Sequence, residues 1–559
     1  MRVVLGDLSY FNQQNRRNLY VPLNIGFVGA YTKNKFKGIE VGLLKDAQAL
    51  VDCVRMYKPE VVGLSSYYWN EELNKLVSAK IRAAHPECVI VLGGPCIDTD
   101  HEEQEHYFRR FPAIDATIAN EGEVGFANVV EAVLGGNPWQ KPIAGATFRR
   151  GAEIVRGAQI GLSTDLATVP SPYLMGLLDQ FLCEPFAPMI QTSRLCPYTC
   201  SFCVSGKDRG KLRAFELDHV KAEINYIAEK YRGSRDTLLY ITDENFGIMQ
   251  RDLEVADYIL EAKEKRGYPR SVFYYNDKRF TQISRDLHEK LGTMCWHGVC
   301  LSLQSENPET LKAIKRRNLT DEQLASALEW AKGLGLKTST ELIFGLPYET
   351  VKSFLRLLDK TAQAGFDIIH CYNLIIFDGI EMNRQRYRKE HGLKTRRRFI
   401  SGSSGWVDND LCIESEEVVV SSNSFTFEDF MLIYKISGML QTIYIMGWMA
   451  DSFKELARQG GSITDLLCAF FEPDDRGDEV SAKHEHFLKF ANSLTRGLLT
   501  DEAFDMTIAD IKSKVAPGTE LTFSQSRGLM FGAEPWMTEM VLRAAKRVDA
   551  REERQCVPA

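Results

Sequence analysis

The stretch "QTSRLCPYTCSFCVSGKDRG" (residues 191–210) places Cys196, Cys200 and Cys203 on one short loop. A structural zinc site wants four ligands closed in a tetrahedron. No fourth Cys or His stands at such spacing; the nearest histidine, His219, lies beyond the loop in a helix-period segment. Three thiolates can instead hold three irons of a [4Fe–4S] cluster and leave the fourth open to a substrate or cofactor, whereas electron-transfer clusters normally take four cysteines. Ser205, Gly206 and Lys207 then supply turns and hydrogen bonds near the sulfides.

Working outward, the loop follows a short apolar run, "PMIQTSR", and precedes five more: "TLLYITDENF" (237–246), "SVFYYND" (271–277), "GVCLSLQS" (298–305), "KTSTELIFG" (337–345) and "DIIHCYNLIIF" (367–377). Amphipathic segments such as "ELDHVKAEINYIAEKY" (216–231) separate them. This pattern predicts a partial (β/α)6 barrel with its chemistry at the C-terminal strand ends, where the cysteine loop begins. Upstream, "RVVLGDL" (2–8), "IEVGLL" (39–44), "PEVVGLSSY" (59–67), "CVIVLGG" (88–94) and "DATIAN" (115–120) alternate with helical patterns. The N-terminal part therefore reads as a doubly wound, Rossmann-like parallel sheet. Its strand-end loops carry Ser65, Ser66, Gly93, Gly94, Glu121 and Gly122, residues small or polar enough to meet a ligand in the crevice there. The expected division is a sheet domain over 1–140, a Pro- and Gly-containing linker over 141–180, the barrel over 181–385 and a mainly helical domain over 386–559. In the last of these, the Met and aromatic stripe of 425–457 reads as core.

A chain of 559 residues is too long for one core. Its formal charge of −7 argues against general nucleic-acid or acidic-membrane binding, and "KTRRRF" (394–399) reads as a solvated loop. The N-terminus lacks a signal-peptide core, and "GMLQTIYIMGWMA" (438–450) is too short to span a bilayer. A cytoplasmic protein is expected, in which 13 cysteines are free thiols rather than a disulfide framework.

The cysteine spacing resembles the radical S-adenosylmethionine (SAM) enzymes, whose C-x-x-x-C-x-aromatic-C signature stands here as "CPYTCSFC", with Phe202 as the aromatic. The resemblance implies that the open iron chelates SAM, and that one electron from the cluster cleaves it to methionine and a 5′-deoxyadenosyl radical. It also implies an electron donor such as flavodoxin or ferredoxin, and oxygen sensitivity. Asp243 and Glu244 in "TDENF" stand where the family binds the amino group of SAM. Gln304 and Ser305 resemble its contacts to ribose and carboxylate, and Gly345 of "ELIFGLPYET" resembles the glycine that lets the backbone approach adenine. Arg279 reads as a surface or structural partner.

"YVPLNIGFVGAYTKN" (20–34), "VVGLSSYYWN", "VLGGP" and "NEGEVGFANVVEAV" (120–133) resemble the cobalamin-binding domain of one radical SAM subclass. That subclass is dominated by methyltransferases acting on unactivated carbon, so a cobalamin-dependent methylation of a small metabolite is the expectation. Two departures stand out. The Asp-x-His-x-x-Gly motif is missing at "LLKDAQALVD" (43–52), and "LIIFDGIEMN" (374–383) replaces a Pro-Gly-Thr turn. His101 and His106 read as surface residues. Open alternatives are radical cyclisation, rearrangement or oxidation, with or without cobalamin. A methylthiotransferase would need an N-terminal cysteine pattern that Cys53, Cys88 and Cys96 do not make, and the remaining alternative is a cluster-bearing sensor.

Overall fold

The computed structural model describes residues 1–12, 19–160, 165–206, 211–234, 238–523 and 533–555. Lys207 lies outside them. Five parallel strands, β1 (Arg2–Ser9), β2 (Glu40–Asp46), β3 (Val61–Ser65), β4 (Val89–Gly93) and β5 (Ala116–Ile118), stand in the order β2-β1-β3-β4-β5. They are apolar because both faces are covered. Helices α1 (Leu23–Lys35) and α5 (Gly122–Leu134) share one core with them, while α2 (Ala47–Tyr57), α3 (Glu71–Ala84) and α4 (His101–Arg110) share the other. Asp46 starts α2 by accepting the Ala49 N–H, an N-cap built into the end of β2. The strand order reverses between β1 and β3, the switch point where doubly wound sheets bind ligands.

The expected linker is only partly irregular. Thr147–Arg150 (β6) and Glu153–Arg156 (β7) form an antiparallel hairpin that extends the sheet beyond β5. Its short "TFRR…EIVR" arms gave too little periodicity to separate from loop.

Barrel strand β8 (Met189–Ile190) runs into the cysteine loop through β9 (Ser193–Arg194), which pairs with β10 (Arg213–Ala214). Strands β8, β11 (Leu238–Ile241) and β12 (Ser271–Phe273) form one parallel sheet. A second contains β13 (Val299–Cys300), β14 (Thr338–Phe344) and β15 (Ile368–Asn373). Asn276 joins the two, donating to the Cys300 carbonyl at 3.0 Å. Along each strand, residues turned to the helices are buried, as at Leu239, Val272, Leu342 and Ile369, while alternate ones such as Tyr240, Phe273, Glu341 and His370 are half-buried and face the lumen. The outer layer is α6 (Leu217–Lys230), α7 (Asp252–Arg266), α8 (Gln282–Leu291), α9 (Pro308–Ala313), α10 (Asp321–Gly333) and α11 (Val351–Gln363). Capping boxes at Thr320/Gln323 and Thr350/Ser353 start the last two.

The C-terminal part departs from the expectation at its start. After α12 (Gln385–His391), β17 (Lys394–Val407) and β18 (Asp410–Ser421) form a long antiparallel hairpin, anchored through β18 to β16 (Ile375–Ile376). "KTRRRF" is thus strand, not solvated loop. Its arginines are occupied: Arg396 lies over the Phe427 ring at 4.0 Å, Arg397 over Phe504 at 4.7 Å, and Arg398 forks onto Glu416 at 2.7 and 3.0 Å. Charges buried inside a sheet hid its period-2 pattern. Helices follow: α13 (Phe427–Tyr444), α14 (Ala450–Arg458), α15 (Ile463–Phe470), α16 (Glu479–Ser493), α17 (Asp501–Lys514) and α18 (Pro535–Gln555). The aromatic and sulfur residues of α13 join the core of β13–β15, as a core stripe should.

Candidate active site

The cysteine loop starts under strain. Leu195, just before Cys196, has φ +95°, a region costly for a branched side chain. Its N–H is held by Glu244 Oε2 at 2.8 Å. Cys196 and Cys200 are buried and Cys203 half-buried. Asn245 donates to Cys196 Sγ at 3.0 Å, and Lys278 Nζ stands 3.8 Å from Cys200 Sγ. Burial pushes the Cys196 thiol up, opposed by the Tyr198 N–H, Lys278 and Asn245. Among the described residues no three His, Cys, Asp or Glu side chains converge on one ion. Thiols spread along a loop suit the corners of a cluster better than a single tetrahedral zinc.

The two acidic candidates have different placements. Asp243 is fully buried and accepts from Thr192 N, Thr192 Oγ1 and Ser193 Oγ, each at 2.6 Å, so it ties β11 to the β8–β9 turn. Glu244 lines a cavity. Gln304 takes φ +64°, bridges to β14, and keeps Oε1 buried without a partner among the described residues. Ser305 is occupied differently: its hydroxyl donates to Glu349 and accepts the Asn307 N–H. Gly345 has φ +108°, and a Cβ there would stand 3.0 Å from Leu374 Cβ. Phe202 packs against the barrel's second core. Arg279 is exposed, with Asp277 at 3.7 Å and Tyr198 beside it. His101 and His106 are exposed on α4.

At the switch point lies a cavity of about 980 Å³, at the upper end of the roughly 300–1,000 Å³ common for small-molecule sites. From the sheet domain it is lined by Ser65, Gly93, Gly94, Glu121 and Gly122. Ser66 is not among them; its hydroxyl meets Tyr107 OH at 2.6 Å, on the side of α4. A Cβ on Gly94 would come within 2.9 Å of the Ser66 backbone, so only glycine lets the β3 and β4 loops meet. From the barrel come Gln191, Leu195 and Glu244, so the cavity opens onto the cysteine loop.

Residues not singled out in the sequence build its floor. Asp7 accepts from Lys45 Nζ at 2.7 Å, Ser65 Oγ at 2.5 Å and Asn24 Nδ2 at 3.1 Å. Burial pushes the Asp7 carboxyl up, but Lys45 and these donors together hold it below the usual range. The only sequence signal was a charge at each of two strand ends, "VVLGD" and "LLKD".

Residues 190–361, from β8 into α11, match the radical SAM superfamily. The chain belongs to that superfamily. Its radical SAM segment thus begins at the strand that carries the cysteine loop. The chain is 32% identical over 397 residues to the cobalamin-dependent radical SAM methyltransferase TokK of Streptomyces tokunonensis, covering 69% of this chain and 56% of that protein. It is 28% identical over 430 residues to the 2-(S-pantetheinyl)-carbapenam-3-carboxylate methyltransferase of Streptantibioticus cattleyicolor, covering 74% and 61%. The chain therefore spans little more than half the length of these curated relatives. Among solved structures, the cobalamin-dependent radical enzyme OxsB with aqua-cobalamin bound has the same fold, with a TM-score of 0.58 over 98% of this chain and 84% of that one, at 14% identity. Among the described residues of this radical SAM protein, no helix is long and apolar enough to cross a membrane.

Proposed function

We propose that this protein is a cobalamin-dependent radical SAM methyltransferase that methylates an unactivated carbon of a small metabolite in a reducing, cytoplasmic setting. The observation that carries the reading is the shared cavity: switch-point glycines and the barrel residues next to Cys196 line the same space. Both relatives are named methyltransferases, and one is named cobalamin-dependent.

The residues suit the groups. Cys196, Cys200 and Cys203 would hold a [4Fe–4S] cluster with one iron open. Glu244, Gln304 and Gly345 would receive SAM: a carboxylate for its ammonium, an unmet acceptor for a hydroxyl, and a backbone without Cβ for its flat base. Gly93, Gly94 and Gly122 leave room for cobalamin over the Asp7–Lys45 floor, with no histidine among the described residues that line it. When bound, the cluster supplies an electron for reductive cleavage of SAM, and cobalamin carries the methyl group. The chain's own contribution is to hold both against one substrate. Asp243 and Leu195 fix the cysteine loop, the apolar strands exclude water from below, and Asn245 and Lys278 surround the sulfurs. A flavodoxin or ferredoxin is the expected electron source.

The test is product analysis on reconstituted, reduced enzyme given SAM and candidate acceptors. The reading expects 5′-deoxyadenosine, S-adenosylhomocysteine and a methylated product together. Replacement of all three loop cysteines by alanine should remove iron and all three products. Deoxyadenosine formed alone, with acceptor consumed but never methylated, would move the assignment to a radical rearrangement or oxidation.

A further inference from the structure

Strands β17 and β18 pair regularly from Arg396↔Val418 to Phe399↔Ser415, and again from Ser404↔Ile413 to Val407↔Asp410. Between the two blocks, β17 takes five steps, Phe399 to Ser404, where β18 takes two, Ser415 to Ile413. The surplus segment, Ile400 to Ser403, is an enlarged bulge. Bulges re-aim side chains and cluster near sites. Here Ile400, Ser401 and Ser403 line the switch-point cavity, although they lie some way past the barrel in the sequence.

The bulge is fixed, not loose. Asn12, just beyond β1, donates to the carbonyls of Gly402 at 2.7 Å and Ser404 at 3.1 Å, on the two flanks of Ser403. Opposite the bulge on β18, Glu414 accepts from the N-terminal amides of α3, Glu72 N at 3.0 Å and Leu73 N at 2.9 Å, and from Tyr10 OH at 2.8 Å. At the hairpin tip, Asp408 meets Arg55 of α2 at 2.6 Å and Asp410 meets Lys80 of α3 at 2.6 Å. The distal half of the hairpin is therefore clamped to the sheet domain, and the larger of its two register shifts coincides with the cavity.

We propose that this bulge is the third wall of the corrinoid site, with the sheet-domain glycines and the cysteine-loop side of the barrel as the other two. Ile400 supplies an apolar contact, and the hydroxyls of Ser401 and Ser403 are partners for the amide side chains that rim a corrin ring. The inference rests on the cobalamin reading above. It makes the C-terminal hairpin part of the cofactor site instead of an appendage.

The experiment is cobalt and iron content after the full-length protein, reconstituted anaerobically with hydroxocobalamin, is passed through a desalting column. Ser401→Trp should lower retained cobalt about tenfold, a loss of ~1.4 kcal/mol of binding, while iron stays at the wild-type level. Lys394→Trp, exposed at the base of the same hairpin, should change neither. Wild-type cobalt in Ser401→Trp overturns the wall and leaves the cobalamin reading standing. Wild-type protein that keeps iron but no cobalt overturns both. Should the tryptophan lower iron as well, the Ser401→Ala, Ser403→Ala pair decides, since it adds no bulk: faster cobalt loss supports the wall, and an unchanged rate overturns it.

Discussion

Asn245 reaches the Cys196 sulfur with its amide N–H, and such a bond stabilises the more negative, reduced form of a cluster. Asn245→Leu should therefore leave the iron bound and shift the reduction potential to more negative values in an EPR-monitored titration; an unchanged potential would contradict this role. At this scale the sequence was legible where the chemistry is local. Three sulfurs on one loop announce themselves through spacing, and Gly345 through its turn. It was illegible where partners come from distant strands. Asp243 and Glu244 are adjacent in sequence, yet the turn after β11 sends one into Thr192 and Ser193 and the other to the cavity. Ser66 looked like a ligand contact beside Ser65, but it faces Tyr107. The Asp7–Lys45–Asn24 floor joins β1, β2 and α1, and no short motif could have shown it.

The hairpin β17–β18 buries charged residues that its composition would place at the surface. Glu414 sits at the N-terminus of α3, where burial pushes its carboxyl to about 8, with Glu72 adding to the rise and the two amides and Tyr10 opposing it. The folded state thus keeps a proton that the unfolded chain releases near an ordinary carboxylate value. Its contribution to stability is full below about 4.5 and is lost as pH rises to about 8. Thermal midpoints measured across that window should fall with pH, and Glu414→Gln should remove part of the slope; parallel slopes in the two proteins would refute the assignment. Continuous apolar runs made the parallel strands readable, because both faces of β3 and β4 are covered. Glutamates and arginines neutralising each other inside β17 and β18 break that signal, so the sequence there predicts loop and helix.

At the scale of the whole molecule, Arg194 of β9 joins barrel to sheet. Its guanidinium meets Glu123 of α5 at 2.7 Å and lies over the rings of Phe27 and Phe215 at 5.0 and 5.4 Å. Removing one partner of a buried pair strands the other charge, at a cost of about 3–5 kcal/mol. Arg194→Ala should lower the thermal midpoint, and Arg194→Lys should recover little of it, because ammonium keeps the charge but not the planar fork. An unchanged midpoint in Arg194→Ala would show that the interface does not depend on it. This latch, the cavity and the cysteine loop belong to one arrangement, which on the proposed reading would hold two cofactors in one space between sheet and barrel. The measurement that tests it most directly is iron and cobalt per chain, with the optical spectrum of the same sample, after anaerobic reconstitution with hydroxocobalamin. About four irons and one cobalt per chain is the predicted result, and a chain that binds its iron yet retains no cobalt would contradict it.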